Sequence, residues 1–256
     1  MFSTKTIELK SAKELALMRH AGAIVAGALA LLSQAAKAGV TTLELDKIAL
    51  DELAKRKAKP AFLGYHGFPG CLCVSINNEV VHGIPSANRK IVDGDLVSLD
   101  FGCIVGGFYG DAAVTVAVGK VSESAQKLLD VTRDSLGMGI DAMRPGGRLG
   151  DVSSAVQKHV EANGFSVVRD FVGHGIGRAL HEDPPVPNFG KAGTGMRLQP
   201  GLVLAIEPMV NVGGPEVTTL ADGWTAVTKD GSLSAHFEHT VVVTENGPEI
   251  LSKPNG

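Results

Sequence analysis

A duplicated pattern constrains this chain more than any single residue type does. In GDLVSLD (94–100) and GLVLAIE (201–207) a glycine leads a predicted apolar strand that ends in a carboxylate six residues on, and the two acids, Asp100 and Glu207, stand 107 positions apart. Gly39 and Gly146, each placed before the second helix of a predicted pair, are also 107 apart. YHGF (65–68) aligns with GHGI (173–176), setting His66 against His174, and DAAVTVAVG (111–119) aligns with EHTVVVTENG (238–247), setting Asp111 against Glu238. The last offset, 127, implies about twenty extra residues between the two acids of the second half. Matches that keep their order predict a duplicated helix, helix and strand unit. The expected organisation is one domain of α/β (α+β) class over residues 1–256, with halves near 11–120 and 121–250 and no additional N-terminal domain.

The helices announce themselves by their ends. Ser11 with Glu14, and Thr41 with Glu44, are capping-box pairs in which side chain and backbone satisfy each other's free donors. The first opens an apolar stripe through Leu15, Met18, Ile24, Val25, Leu29 and Leu32 with a stop at Gly39; the second carries Leu45, Ile48 and Leu53 into the charged run KRKAK (55–59). In the second half, helices are predicted over 124–143, ended by Pro145, Gly146 and Gly147, and over 149–163, stopped by Gly164.

Composition excludes several classes of function. With 24 basic and 27 acidic residues and a net charge of −3, the chain is not built mainly to bind nucleic acid or an anionic membrane. The KRKAK run reads as a solvated helix end rather than an RNA contact. The start MFSTKTIELK has no apolar core of a signal peptide, and no stretch of about 18 uninterrupted apolar residues follows, so a soluble cytoplasmic protein is expected. Cys71, Cys73 and Cys103 supply neither a paired disulfide framework nor a four-thiolate zinc site and read as reduced, buried thiols.

The repeat has a chemical consequence. If the halves are related by a pseudo-twofold axis, Asp100 pairs with Glu207 and Asp111 with Glu238, and four carboxylates converge. In DFGCIVGGFYGD a turn near Ile104 to Gly107 folds a hairpin and places Asp100 directly or diagonally across from Asp111. One carboxylate pair about 4 Å apart costs about 4 kcal/mol at an effective dielectric of about 20. Four such groups contain six pairs, and the sum rivals a domain's whole stability of about 5–15 kcal/mol. A single Asp or Glu is ordinarily a surface group, but Asp100 and Glu207 follow the apolar runs VSL and LAI, where a charge must be paired or metal-bound. Two divalent ions would cancel all four charges.

FVGHGIGRALHEDPP (171–185) adds two histidines. An HExxH zinc helix is excluded, because Asp183, Pro184 and Pro185 follow His181 and Glu182. Gly173, Gly175 and Gly177 argue against one helix carrying His174 and His181, and their odd separation excludes one straight strand presenting both on a face. The two belong to different parts of a bent segment. His82, in VHGIP, reads from its neighbours alone as a turn histidine beside Gly83 and Pro85.

These stretches together resemble the type I methionine aminopeptidases: YHGFPGCLCVSINNEVVHGIP (65–85), DGDLVSLDFG with GFYGD (93–111), GHGIGRALHE (173–182), PGLVLAIEPM (200–209), DGWTAVTKDGSLSAHFEHT (222–240) and the tail VVVTENGPEIL. The similarity spans nearly the whole chain in order. It implies a pita-bread fold: two pseudo-twofold halves around a central, mostly antiparallel curved sheet with helices outside. It also implies two divalent ions held by Asp100, Asp111, His174, Glu207 and Glu238. Asp111 and Glu238 would bridge them, Asp100 would complete one coordination sphere, and His174 with Glu207 the other. This oxygen-rich set with one imidazole suits Co, Mn or Fe(II), with Zn also compatible.

The implied reaction removes an N-terminal methionine that precedes a small residue, from nascent proteins and peptides. Glu207 would be the general base, His181 the group facing the scissile carbonyl, and His82 the contact to the scissile nitrogen or leaving group. The methionine side chain would lie against Phe62, Tyr65, Phe68, Cys73 and Trp224, an apolar and polarisable set suited to a thioether. Where the family often carries phenylalanine before the second histidine, this chain has Leu180, so its pocket differs in shape. The implied partner is the N-terminal methionine of nascent polypeptides, met near the ribosome by a cytoplasmic monomer that engages no membrane and no specific nucleic acid. An X-Pro aminopeptidase or prolidase of the same fold usually has a sizeable extra N-terminal domain, whereas about ten residues precede the first helix here. A type II methionine aminopeptidase carries a large helical insertion for which the chain is too short, and non-catalytic binding proteins on this scaffold typically lack the ligands.

Overall fold

The computed structural model describes residues 7–253. Residues 1–6, which begin the segment read for a signal peptide, lie outside them. Four helices stand among the described residues: α1 (Ala12–Ala35), α2 (Thr42–Arg56), α3 (Glu123–Ala142) and α4 (Leu149–Ala162). Both predicted capping boxes are formed: the Glu14 carboxylate accepts the Ser11 N–H at 2.7 Å and Glu44 accepts that of Thr41 at 2.7 Å. The first helix ends at Ala35, short of the expected stop, and Gly39 serves instead in the following turn, where its φ of 92° suits glycine. Helix α1 is long and apolar enough to cross a membrane by composition alone, but half of its apolar window is buried. Met18, Ala21, Val25 and Leu32 lie fully inside, so the apolar stripe is explained by packing on the sheet.

Nine strands, among the described residues, form the central sheet, with every pairing antiparallel. Its middle runs in the order Leu96–Val105, Phe108–Ala117, Glu238–Thr244, Val203–Ile206, Gly173–Gly175. The order is symmetric about the junction of the second and third strands: the Asp100 strand and the Glu207 strand are its outer equivalents, the Asp111 and Glu238 strands its inner ones. The junction pairs Glu238 with Ala113 and His239 with Ala112, and a side chain ties it further: the Asp111 N–H donates to Thr240 Oγ1 at 3.2 Å and that hydroxyl donates to the Asp111 carbonyl at 2.7 Å. Each helix pair covers its own half. One core gathers Val25, Leu32, Leu45 and Leu53 with Leu72, Leu99 and Phe101; another gathers Leu128, Ile140, Val152 and Val156 with Leu204 and Ile206.

Two details of the repeat differ from the sequence expectation. Asp100 does not end its strand, which continues to Val105 because the hairpin turns only at Gly106 and Gly107, whereas the equivalent strand stops at Ile206, before Glu207. His66 is not the counterpart of His174. His174 pairs with Ala205, and the position equivalent to Ala205, Ser98, pairs with Ser75; His66 lies in a one-turn 3-10 helix (Tyr65–Gly67) with φ 48°. The YHGF and GHGI likeness is one of letters.

Helix α1 approaches the chain closely at glycine. A Cβ on Gly22 would fall 2.2 Å from the Leu251 carbonyl oxygen, while one on Gly27 meets nothing within 4 Å. Gly22→Ala should therefore destabilise the protein by about 1–3 kcal/mol through overpacking. Gly27→Ala should stabilise it by about 0.5–1 kcal/mol through helix propensity. Urea unfolding of the two variants checks this, and equal effects would contradict the packing.

Candidate metal centre and its cavity

The hairpin pairs Gly102 with Asp111 and Asp100 with Ala113, so the two aspartates are diagonal neighbours on one face of the sheet. Glu238 opens the adjacent central strand opposite Ala113. Glu207 follows its strand directly, and its carbonyl accepts the Asn188 amide at 2.9 Å. His174 reaches the same place because glycine flanks it: a Cβ on Gly173 would sit 2.3 Å from the Ala205 carbonyl oxygen and one on Gly175 2.3 Å from that of Asp183. Only glycines let this strand pass between its neighbours.

Ligand atoms of Asp111, His174 and Glu238 lie within 4.8 Å of one another, and all three residues are buried. His174 Nε2 is 3.4 Å from Glu207 Oε1. The His174 tautomer is fixed by its other nitrogen, which lies 2.9 Å from the Gly175 carbonyl oxygen. A carbonyl can only accept, so Nδ1 carries the hydrogen and the Nε2 lone pair faces the acids. Burial pulls the imidazole down to about 3, so it is neutral.

The acids show the repulsion expected of them. Burial raises Asp100 to about 7, and burial followed by the neighbouring carboxylates raises Asp111, Glu207 and Glu238 well above the ordinary range. Among the described residues, Asp100 Oδ1, Asp111 Oδ1 and Glu238 Oε1 are buried without a hydrogen-bond partner. Buried acceptors left without donors are rare in native proteins. Hard carboxylate oxygens with one neutral imidazole fit a divalent cation, which would satisfy these oxygens and offset their charge.

Asp100, Asp111, His174, Glu207 and Glu238 all line one cavity of about 250 Å³. Every residue expected to contact substrate lines it too: His82, His181, Phe62, Tyr65, Phe68, Cys73 and Trp224. Phe68 and Trp224 meet edge to face at 5.2 Å. The bent segment resolves the two histidines as expected: His174 is in the sheet, His181 precedes the strand Glu182–Val186, and their rings stand 4.3 Å apart. Tyr65 Oη lies 2.7 Å from His181 Nδ1. His82, at φ 62°, is more than a turn histidine, because its ring faces the cavity between Phe171 (5.4 Å) and Trp224 (6.3 Å). Burial lowers it to about 4, and burial also lowers His181, so both imidazoles are neutral at pH 7.

Some of the lining escaped the sequence reading. Phe171, Met209 and Val81 contribute to the walls, beside the buried Leu180 already singled out in the sequence. His236 is buried, with Nε2 3.8 Å from Glu207 Oε2. It ends the strand Ser234–His236, which belongs to a different sheet from the Glu238 strand, so the two-residue spacing gave no usable signal. Nothing local marks Phe171.

The sequence matches metallopeptidase family M24 over residues 16–245. The chain belongs to this family. Within M24 it is 54% identical over 246 residues to the methionine aminopeptidase of Clostridium perfringens, an alignment covering 96% of this chain and 98% of the relative. The methionine aminopeptidase structure from Thermotoga maritima superposes with a TM-score of 0.96 at 49% identity, covering 97% of this chain and all of the other. The Xaa-Pro dipeptidase of Bacillus anthracis, also similar, has a TM-score of 0.78 at 21% identity, and this chain spans 62% of its length, which shows a shared fold alone. The pita-bread architecture of M24 is thus the fold of this chain.

Without a cation, this M24 centre should carry a testable pH signature. A carboxyl whose folded pKa is raised stabilises the fold while protonated and loses that contribution as pH rises toward the folded pKa. The lowered His82, His174 and His236 act oppositely, but only below about pH 6.5, the ordinary histidine value, because above it they are neutral folded or unfolded. Between pH 7 and 9 the carboxylates alone of these groups remain. The melting temperature of chelator-treated protein should fall over this window by more than that of Mn-loaded protein. Parallel curves in the two states would contradict the account.

Proposed function

We propose that this chain hydrolyses the first peptide bond of polypeptides that begin with methionine and continue with a small residue. The observation that carries the reading is one cavity in which a cluster of buried, partnerless carboxylate oxygens adjoins an apolar wall of Phe62, Phe68, Cys73 and Trp224. Two divalent ions, of Co, Mn, Fe(II) or Zn, would be held by Asp100, Asp111, His174, Glu207 and Glu238. Bound there, such ions supply Lewis acidity and make water a nucleophile at neutral pH.

The remaining work falls to the chain's own side chains. Glu207 accepts the proton of the attacking water, a role suited to a carboxylate whose affinity for protons is raised by burial and by Asp100 and Asp111. With the Tyr65 hydroxyl, 2.7 Å from His181 Nδ1, acting as the donor of that pair, Nε2–H would be left to donate to the carbonyl oxygen as negative charge develops. His82, neutral at pH 7, contacts the scissile nitrogen or the leaving amine. The apolar wall excludes water and accepts the thioether side chain. A free N-terminus as substrate, with three buried free thiols, supports a working place in the reducing cytoplasm near the ribosome. There the chain would act as a monomer, with no membrane or specific nucleic-acid partner.

Mn- or Co-loaded protein should release methionine from Met-Ala-Ser and not from Met-Leu-Ser, with no release after chelation; preference for an X-Pro peptide, or no turnover with any metal, would refute the reading. Glu207→Gln should lower kcat by about 10²–10⁴-fold and weaken metal binding in calorimetry, because ligand and base are one residue. His181→Ala should lower kcat by about 10²–10³-fold while leaving metal affinity intact.

A further inference from the structure

Outside the cavity, the most buried cation in an ion pair among the described residues is Lys10, whose side chain is 1% exposed. Its ammonium stands 2.8 Å from Glu182 Oε2 and 3.3 Å from Glu8 Oε2, and it reaches Glu182 only because residue 177 is glycine: a Cβ there would fall 2.2 Å from Lys10 Cε. Glu182 spends its other oxygen on the backbone. Oε1 accepts the N–H of Arg178 at 2.6 Å and of Ala179 at 3.1 Å, which closes the turn that ends at His181. The turn is anchored on both sides. The Gly177 carbonyl accepts the Tyr109 N–H at 2.8 Å, from the strand that carries Asp111, and the Lys10 N–H donates to the Gly201 carbonyl at 2.7 Å, at the entry to the Glu207 strand. Arg178 adds an ion pair to Glu14 at 2.6 Å and lies 4.7 Å over the Phe108 ring.

We propose that Lys10 is a positioning residue for His181. The ammonium holds Glu182 where it can accept two amide N–H groups. That carboxylate fixes the backbone three and two residues before His181, at Arg178 and Ala179, and Tyr65 orients the ring from the other side. The Glu182 carboxylate is partly open to solvent, its side chain 19% exposed, so without the ammonium it moves toward water, and the turn would move with it. The inference rests on the reading of His181 as the donor to the scissile carbonyl.

The test is a double-mutant cycle in the full, metal-loaded chain. Lys10→Met should lower kcat on Met-Ala-Ser by about tenfold or more, in line with the cost of a displacement of about 1 Å in a reacting group. It should leave KM and the calorimetric metal affinity within about twofold, since no ligand or pocket wall is touched. In a His181→Ala background the same substitution should change kcat by less than about twofold, because a positioning residue has nothing left to position. If Lys10→Met does not fold, Lys10→Met with Glu182→Gln, which leaves no unpaired charge buried, carries the same cycle. Equal losses in both backgrounds, or an unchanged kcat in the first, would overturn the proposal. Wild-type kcat in His181→Ala alone would instead overturn the reading of His181, and this inference with it.

Discussion

Mutual repulsion among Asp100, Asp111, Glu207 and Glu238 is the constraint on which the rest of this molecule depends. Each is brought to the same place on or directly after a strand of one sheet; burial pushes all four proton affinities upward, and the other acids push those of Asp111, Glu207 and Glu238 further. Such a centre is stable only if something holds the acids together and something offsets their charge. The first task falls to the hydrogen-bonded strands, the Asp111–Thr240 tie and the two cores packed beneath. A cation would perform the second, and the partnerless oxygens mark where it would bind.

Duplication is an economical way to make four carboxylates converge, because two copies of one hairpin-and-helix unit deliver symmetric acids about the strand junction. Chemistry needs the symmetry broken. Opposite Ser98 in the first half stands Ser75, whereas opposite Ala205 in the second stands His174, so one half supplies a hydroxyl and the other an imidazole. The first half uses its corresponding space differently: Cys73, paired with Asp100, faces the cavity. One half thus leans toward the acids' charge and the other toward the apolar wall.

Much of this was legible in the sequence, and the reasons are local. Capping boxes at Ser11 and Thr41 fixed helix starts because their geometry spans only four residues, and the hairpin between Asp100 and Asp111 could be read because a turn sets its own register. The convergence of the acids needed only the repeat. Properties that depend on distant packing were not legible. His66 resembled His174 in its neighbours, yet Tyr65–Gly67 is a 3-10 turn and Gly173–Gly175 is a strand paired on both sides. Phe171 and Met209 reach the cavity through tertiary placement alone. Lys10 contacts Glu182 across 172 residues, and no spacing rule could have joined them.

The acid cluster also determines the character of the pocket beside it. A thiol is a suitable wall for a thioether only while it stays protonated, since a thiolate would bring charge into an apolar surface and compete for cations. Cys73 sits directly opposite Asp100 in the pairing of neighbouring strands, so both side chains project from the same face. Burial pushes the Cys73 thiol well above its ordinary value, and Asp100 and Asp111 push it further. The carboxylates that call for a cation therefore help to keep the adjoining wall neutral. Moving either acid to another strand would disturb the apolar wall as well as the charged floor, which ties recognition of the side chain to the chemistry at the bond beside it.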